Sequence, residues 1–307
     1  MAILSLKFLG VRRLRYFLTA RVFARILLLS VAALLALGCV GFAVGFQSLD
    51  DVRGFVLRDA SESGNLAEVK WLLKGHPDLV FNKSNRGWTA LYCAVVSGHK
   101  DVAEFLLDNK ADANDRNDNT WTLLHTAAYS GDKEMTKLLL AHGADINATD
   151  SQGSTPLSSA KSSVVEMLLA HGANVNARNS IGSTPLHSAA AGCDKAKAEL
   201  LVAHGADVNA RDHFFGDTPL LSAAQGCTDV TELLLAHGAD INARQFDGTT
   251  PLDLAAMMGY GSEAEFLLAH GADVNARDKR GTTALSWAVQ DGHKELAEML
   301  RQHGGLE

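Results

Sequence analysis

The chain has 307 residues, of which 47% are hydrophobic and 21% charged, with a formal net charge of −7. Six of the 28 basic residues, Lys7, Arg12, Arg13, Arg15, Arg21 and Arg25, precede the first acidic residue, Asp50, so the remainder carries 22 basic against 35 acidic side chains, a net of −13. An acidic body of this kind argues against nucleic acid as a partner, and four cysteines in a chain this long do not imply a disulfide framework.

Residues 1–25 read as a basic N-terminal tail. From Ile26 to Phe46, "ILLLSVAALLALGCVGFAVGF" runs without a charge and with one polar side chain, Ser30. As a helix it would be about 30 Å long, the thickness of a bilayer core. A single transmembrane signal-anchor helix is therefore expected over 26–46. The basic excess before it predicts a cytoplasmic N-terminus and a repeat domain on the non-cytoplasmic side. The small residues of "AVG" at Ala43 to Gly45 leave open a cleaved signal and a secreted product. "LALGC" at Leu35 to Cys39 departs from a lipoprotein box at Ala36 and Leu37, and an acid-free, Arg-rich tail is also compatible with a mitochondrial presequence. Gly41 and Gly45 have the GxxxG spacing that lets two spans approach, which would make a dimer.

Residues 47–57 read as a linker. Beyond them two short phrases recur. One begins at Thr89, Thr122, Thr155, Thr184, Thr218, Thr250 and Thr283, in forms such as "TPLH"; the other is "AHGADINA" or a near copy, beginning at Ala141, Ala170, Ala203, Ala236 and Ala269. The starts of the second phrase lie 29, 33, 33 and 33 residues apart, the signature of a repeat array. In "STPLHSAAAG", Thr184 is placed to cap a helix and Pro185 to occupy its first position, with Leu186, Ala189 and Ala190 on its apolar side. A second helix bearing Leu200 and Leu201 should end near His204, with Gly205 as its left-handed cap. A helix pair of this size cannot bury its apolar face alone, so successive pairs must stack.

The threonine, proline, leucine and histidine at one helix start, the "LLLAHGADINA" ending and the period of 33 resemble the ankyrin repeat family. The resemblance covers Arg58 to Glu307, as seven units after a degenerate first one, "RDASESGNLAEVKWLLKGHPDL". It implies an all-α repeat solenoid of stacked helix-turn-helix units with β-hairpin fingers between them. The third unit, "STPLSSAKSSVVEMLLAHGA", is four residues short, so its first helix should lose about a turn. The fifth adds a residue in "RDHFFGDT".

Family members generally bind proteins through the fingers and the adjoining face of the first helices. The matching positions are Trp88, Trp121, Ile181, Phe214, Phe215, Phe246, Lys279 and Arg280, several of them unusually apolar for loop tips. The resemblance implies a non-enzymatic protein-binding scaffold, and the apolar run Ile26 to Phe46 would tether it by one helix. A structural array that mainly associates with itself is the other reading, and a hydrophobic fingertip row favours the first. His125 and His187 occupy a position that, in the family, bonds loop backbone between units.

No chemistry stands apart from the repeats. HExxH, GxSxG, CxxC and GxxxxGK patterns are absent, so no catalytic residue, cofactor or small-molecule substrate is expected. Nor is a metal site: His142, His171, His204, His237 and His270 recur in phase, but rungs about 8–10 Å apart cannot share an ion bound at about 2 Å. Each should instead meet free carbonyls at its helix end. By the same spacing argument Cys193 and Cys227, in adjacent units, are expected to be free thiols. Asn82 and Asn147 head glycosylation sequons, "NKS" and "NAT".

Overall fold

The computed structural model describes residues 49–118 and 120–307. The basic tail, the apolar run Ile26 to Phe46, Cys39 and the Gly41/Gly45 pair lie outside the described residues. Among those described, no helix is long and apolar enough to cross a membrane.

The described helices come in pairs. Helices α1 (Leu49–Glu62) and α2 (Leu66–Gly75) are followed by α3 (Ala90–Val96) and α4 (Lys100–Asp108), then by α5 (Leu123–Ser130) and α6 (Lys133–Ala141). Next come α7 (Pro156–Ser159) and α8 (Ser162–Ala170), α9 (Pro185–Ala191) and α10 (Lys195–Ala203), and α11 (Pro219–Ala223) and α12 (Thr228–Ala236). Helices α13 (Pro251–Met258), α14 (Gly261–Ala269), α15 (Ala284–Gln290) and α16 (Lys294–Gln302) complete the order. Two compact units result, an N-terminal one reaching residue 127 and including 137–144, and a C-terminal one of residues 128–136 and 145–307.

Within each unit, first helices pack on first helices and second on second. In the N-terminal unit α1 lies on α3 and α2 on α4; in the C-terminal unit the odd-numbered helices α7 to α15 form one row and the even-numbered α8 to α16 the other. The repeat leucines make the core. Leu186, Leu220, Leu252 and Leu285, each two residues after its threonine, are almost wholly buried, as are Leu201, Leu234, Leu267 and Leu300 on the second helices. Each such side chain contributes about 1.5–3 kcal/mol by leaving water, while Ala189, Ala223, Ala255 and Ala288 keep the first helices close.

Both ends of the repeat helices follow the sequence pattern. Thr89, Thr218, Thr250 and Thr283 cap their helices, each hydroxyl accepting from the amide three residues on at 3.1–3.3 Å. At the other end, Gly205 takes φ 84° and lets the Ala206 amide return to the Leu201 carbonyl at 3.0 Å. The histidine before it donates from Nδ1 to the Leu200 carbonyl at 2.8 Å, and His171, His237, His270 and His303 do the same at 2.8–2.9 Å.

Four features differ from expectation or sharpen it. Helix α1 begins at Leu49, so most of the stretch read as a linker is helical, with Val52, Val56 and Leu57 buried. The shortened repeat does lose about a turn, α7 having four residues against seven in α9.

The fingers are not β-hairpins. Among the described residues the only bridge between extended segments is Arg116 with Thr122. Each finger of the C-terminal unit is a turn closed by one backbone pair, such as Asp150 N–H to Ser154 O at 3.0 Å. The pair is left half made because the Ser154 amide, which would return to the Asp150 carbonyl, donates to Asp150 Oδ1 at 2.9 Å instead.

Cys193 and Cys227 are disulfide-bonded, with Cα atoms 5.1 Å apart, which corrects the expectation of free thiols. By count the two are equivalent, lying nine residues after Thr184 and Thr218 respectively. Helix α11 is two residues shorter than α9, and its turn closes one residue early. Cys193 thus precedes the cap of α10, Asp194, whereas Cys227 is itself the cap of α12. That offset turns parallel positions into facing ones. Cys93 is a buried free thiol, pushed up to about 11 by burial and then by Glu62.

Two buried charges occupy a position that is otherwise apolar in the C-terminal unit, the third residue of the second helix, filled there by Val164, Val230 and Leu296. Lys197 is 4% exposed and its Nζ donates to the Ser158 carbonyl at 2.7 Å, covering the end of the truncated α7. Burial pulls its ammonium down to about 8, while Asp194 holds it up. Glu263 accepts from Thr228 and Thr231 hydroxyls at 2.6 and 2.5 Å. Asp194 also caps α10, its Oδ1 accepting from the Lys197 amide at 2.9 Å. Asp194→Ala should therefore cost about 1–2 kcal/mol, read as a lower urea midpoint, with Asp194→Asn recovering part of the loss through the retained cap.

His187 and Asp253 fill one repeat position with opposite acid–base behaviour. His187 Nδ1 accepts from the Thr184 amide at 3.2 Å and its Nε2 donates to the Asp217 carbonyl at 3.0 Å, linking adjacent units as expected. Burial lowers its pKa, against the raising effect of the Asp217 contact. Asp253 Oδ2 accepts from the Thr250 amide and hydroxyl at 2.8 and 2.7 Å, while its Oδ1 is buried without a partner. Burial raises this carboxyl to about 6, the Thr250 bonds opposing. A raised carboxyl stabilises the fold below its ordinary 3.8, and that contribution is lost as pH rises through about 6. Asp253→Asn should remove a stability decline of about 3 kcal/mol between pH 3.5 and 7, measured as the difference between wild-type and variant urea profiles.

Candidate functional site

The fingers of the C-terminal unit are joined to one another by main chain. Gln152 O accepts from Ser180 at 2.8 Å, Ile181 O from His213 at 2.7 Å, Phe215 O from Phe246 at 2.7 Å and Asp247 O from Lys279 at 2.8 Å. Ile181, Phe214, Phe215, Phe246, Lys279 and Arg280 therefore stand on one hydrogen-bonded strip. Trp88 and Trp121 belong to the N-terminal unit: Trp88 stacks on Tyr92 at 5.4 Å with the Arg86 guanidinium 5.8 Å from its ring, and Trp121 packs against His125 at 5.3 Å.

The longer finger, residues 212–217, is organised by one carboxylate. Asp212, itself buried, accepts at Oδ1 from the amides of Phe214, Phe215, Gly216 and Asp217 at 2.8–3.2 Å. Four donors converging on one oxygen fix the loop, so the inserted residue becomes a rigid bulge. On it Phe214 is 65% and Phe215 54% exposed, their rings edge-to-face at 4.5 Å. Phe246 is 52% exposed but leans back on the preceding finger. Its ring lies 5.6 Å from the Arg211 guanidinium and fills the space where a Cβ on Gly216 would stand. Gly216 has φ 74°, so glycine serves there both for the turn and for the ring. Ile181 is 44% exposed, and Lys279 and Arg280 are exposed at the following finger.

Two further sets of residues, an arginine series and an asparagine series, hold this strip. Arg178, Arg211 and Arg244 each donate to the main-chain carbonyl of the next arginine in the series, at 2.7, 2.6 and 2.8 Å. Asn176 and Asn209 each donate to the glycine carbonyl of the next unit, Gly205 and Gly238, at 3.1 and 3.0 Å, and accept from the amide two residues beyond it, Asp207 and Asp240, at 2.9 and 3.0 Å. Their signal was present in the recurrent "NAR" that follows "AHGADV". The sequon residue Asn147 is part of the same series, its amide bonded to Gly172 O and Asn174 N at 3.4 and 2.9 Å. Asn82 accepts from Arg58 Nη1 at 2.5 Å.

In the N-terminal unit Trp71 is 65% exposed beside a hollow lined by Leu49, Arg53, Leu72, Lys74 and His76, a surface that no repeat phrase marks.

The fingertip strip can present apolar rings backed by cations, which suits contact with another protein. A family model described as ankyrin repeats in three copies matches residues 30–117, 109–179, 159–245 and 242–306. Such repeats generally serve as non-enzymatic scaffolds that bind proteins. With the capped helix pairs, the stacked leucines and the linked fingers all recurring at the period of that match, the chain belongs to the ankyrin repeat family.

Proposed function

We propose that this chain is a membrane-tethered scaffold whose fingertip strip, centred on Phe214, Phe215 and Phe246, captures a protein partner. The observation that carries the reading is the Asp212-held finger. Exposed aromatic rings are expensive to leave in water, and here two are held on a loop that four amide bonds make rigid. A rigid anchor loses little conformational entropy on binding. Lys279 and Arg280 at one end favour a partner carrying an apolar anchor flanked by acidic residues. Trp88 and Trp121 offer a second contact in the N-terminal unit.

Tethering rests on the sequence of Ile26 to Phe46 and its basic flank. The Cys193–Cys227 bridge adds weight to a non-cytoplasmic repeat domain, because disulfides persist in oxidising compartments.

Phe214→Ser and Phe246→Ser test the surface. Each should change folding stability by less than about 1 kcal/mol, since both rings are half-exposed or more, and weaken partner capture by about tenfold or more. Capture is read by crosslinking in intact membranes, with self-association followed in parallel. Loss of the oligomer instead of the partner would assign the array to self-association. For topology, a tag at Glu307 should resist protease in sealed vesicles with the cytoplasmic face outward, until detergent is added. Digestion without detergent would place the repeats in the cytoplasm, and recovery in the soluble fraction would show a cleaved segment.

A further inference from the structure

We propose that the Cys193–Cys227 bridge is a thiol–disulfide exchange site, addressed by a dithiol reductant from the Cys193 side, that controls how tightly the third, fourth and fifth repeats are clamped together. The bridge stands where neighbouring repeats make a non-covalent contact. Elsewhere a left-handed glycine ends the turn and the next repeat's cap residue lies over it. Tyr260 covers Gly226, and His293 covers Gly259 while its Nε2 donates to the Met257 carbonyl at 3.0 Å. Stacking there needs no covalent bond.

Cys193 is placed for exchange. It is exposed, whereas Cys227 is 5% exposed. It also holds φ 51°, a left-handed conformation that Gly259 and Gly292 fill at the same position with φ 74° and 80°. A side chain is strained there, and the bridge ties that strained residue to the next repeat. Attack by the reductant's thiolate on Cys193 Sγ forms a mixed disulfide and breaks the bond to Cys227, whose sulfur leaves as a thiolate and takes a proton. The reductant's second thiol then attacks the mixed disulfide and releases Cys193 as a thiol. Two electrons pass from the dithiol, which ends as a disulfide.

Release has a defined path through the fold. The residue after Cys193 is Asp194, which caps α10 and stands beside the buried Lys197. Lys197 in turn holds the end of α7 through Ser158. Relaxation of residue 193 therefore loosens the cap, then the lysine, then the truncated repeat. Cys93, the remaining cysteine among the described residues, is a buried thiol of the N-terminal unit.

The experiment uses the full-length protein prepared without reductant. Peptide mapping should recover a linked pair containing Cys193 and Cys227. Hydrogen exchange across residues 156–236 should then quicken by about tenfold or more on addition of a dithiol, with residues 284–302 unchanged. Cys193→Gly restores the residue that other repeats carry, so it should fold and give one exchange rate with or without the dithiol. Cys227→Ser, with the strained Cys193 retained, should exchange at the reduced wild-type rate. Absence of the linked pair, unchanged exchange on reduction, or a Cys193→Gly protein that still responds to the dithiol would each overturn the proposal. The wild-type comparison decides the matter even where a variant fails to fold.

Discussion

A repeat here consists of a first helix of four to eight residues and a second of nine, and neither face of that pair can be dried within its own unit. Every other feature follows from that shortage. Leu186 and Leu201 reach almost complete burial on helices that pack against the neighbouring repeats' helices. Stability is then a sum over neighbours, and anything that holds one repeat to the next acts on the whole. The asparagine and arginine series, the His187 bond to Asp217 O and the disulfide are all bonds of this kind.

The departures from the repeat pattern concern the same interfaces. Lys197 and Glu263 stand where valine or leucine would be ordinary, and each reaches back into the preceding repeat for its partners. A charge buried between two layers is costly unless the matching neighbour satisfies it. Lys197 answers the loss of a turn in α7, whose last carbonyls would otherwise face a dry interface. Asp253, with one oxygen left unmatched, is the case in which the neighbour does not answer.

Much of this architecture was legible in the sequence. Threonine and proline at one helix start, histidine and glycine at the other end, and the period itself depend on local backbone chemistry, which one unit displays in full. The truncated α7 was equally visible as a missing four residues. What stayed hidden depended on register between units. Cys193 and Cys227 looked equivalent by count, and only the early turn after α11 makes them face each other. The expected hairpins failed for a related reason, since the Asp150 side chain takes the Ser154 amide that would have completed the pair. At the candidate site the exposed rings were readable as residues out of place in a loop. The Asp212 cradle that stiffens them was not, because it appears only when the chain turns around its oxygen.

The linked fingers have a consequence for how such a surface can change. Their spacing is set by bonds between backbone groups, Phe215 O to Phe246 N–H among them, and the side chains at the tips take no part in those bonds. Tip residues are thus free to be rewritten, like letters on a fixed line, without moving the line. A lineage could exchange Ile181, Phe214 or Lys279 for other residues and acquire a different partner while paying little in stability. Gly216 is the exception, because its left-handed φ and the Phe246 ring and Arg211 guanidinium beside it all exclude a side chain there.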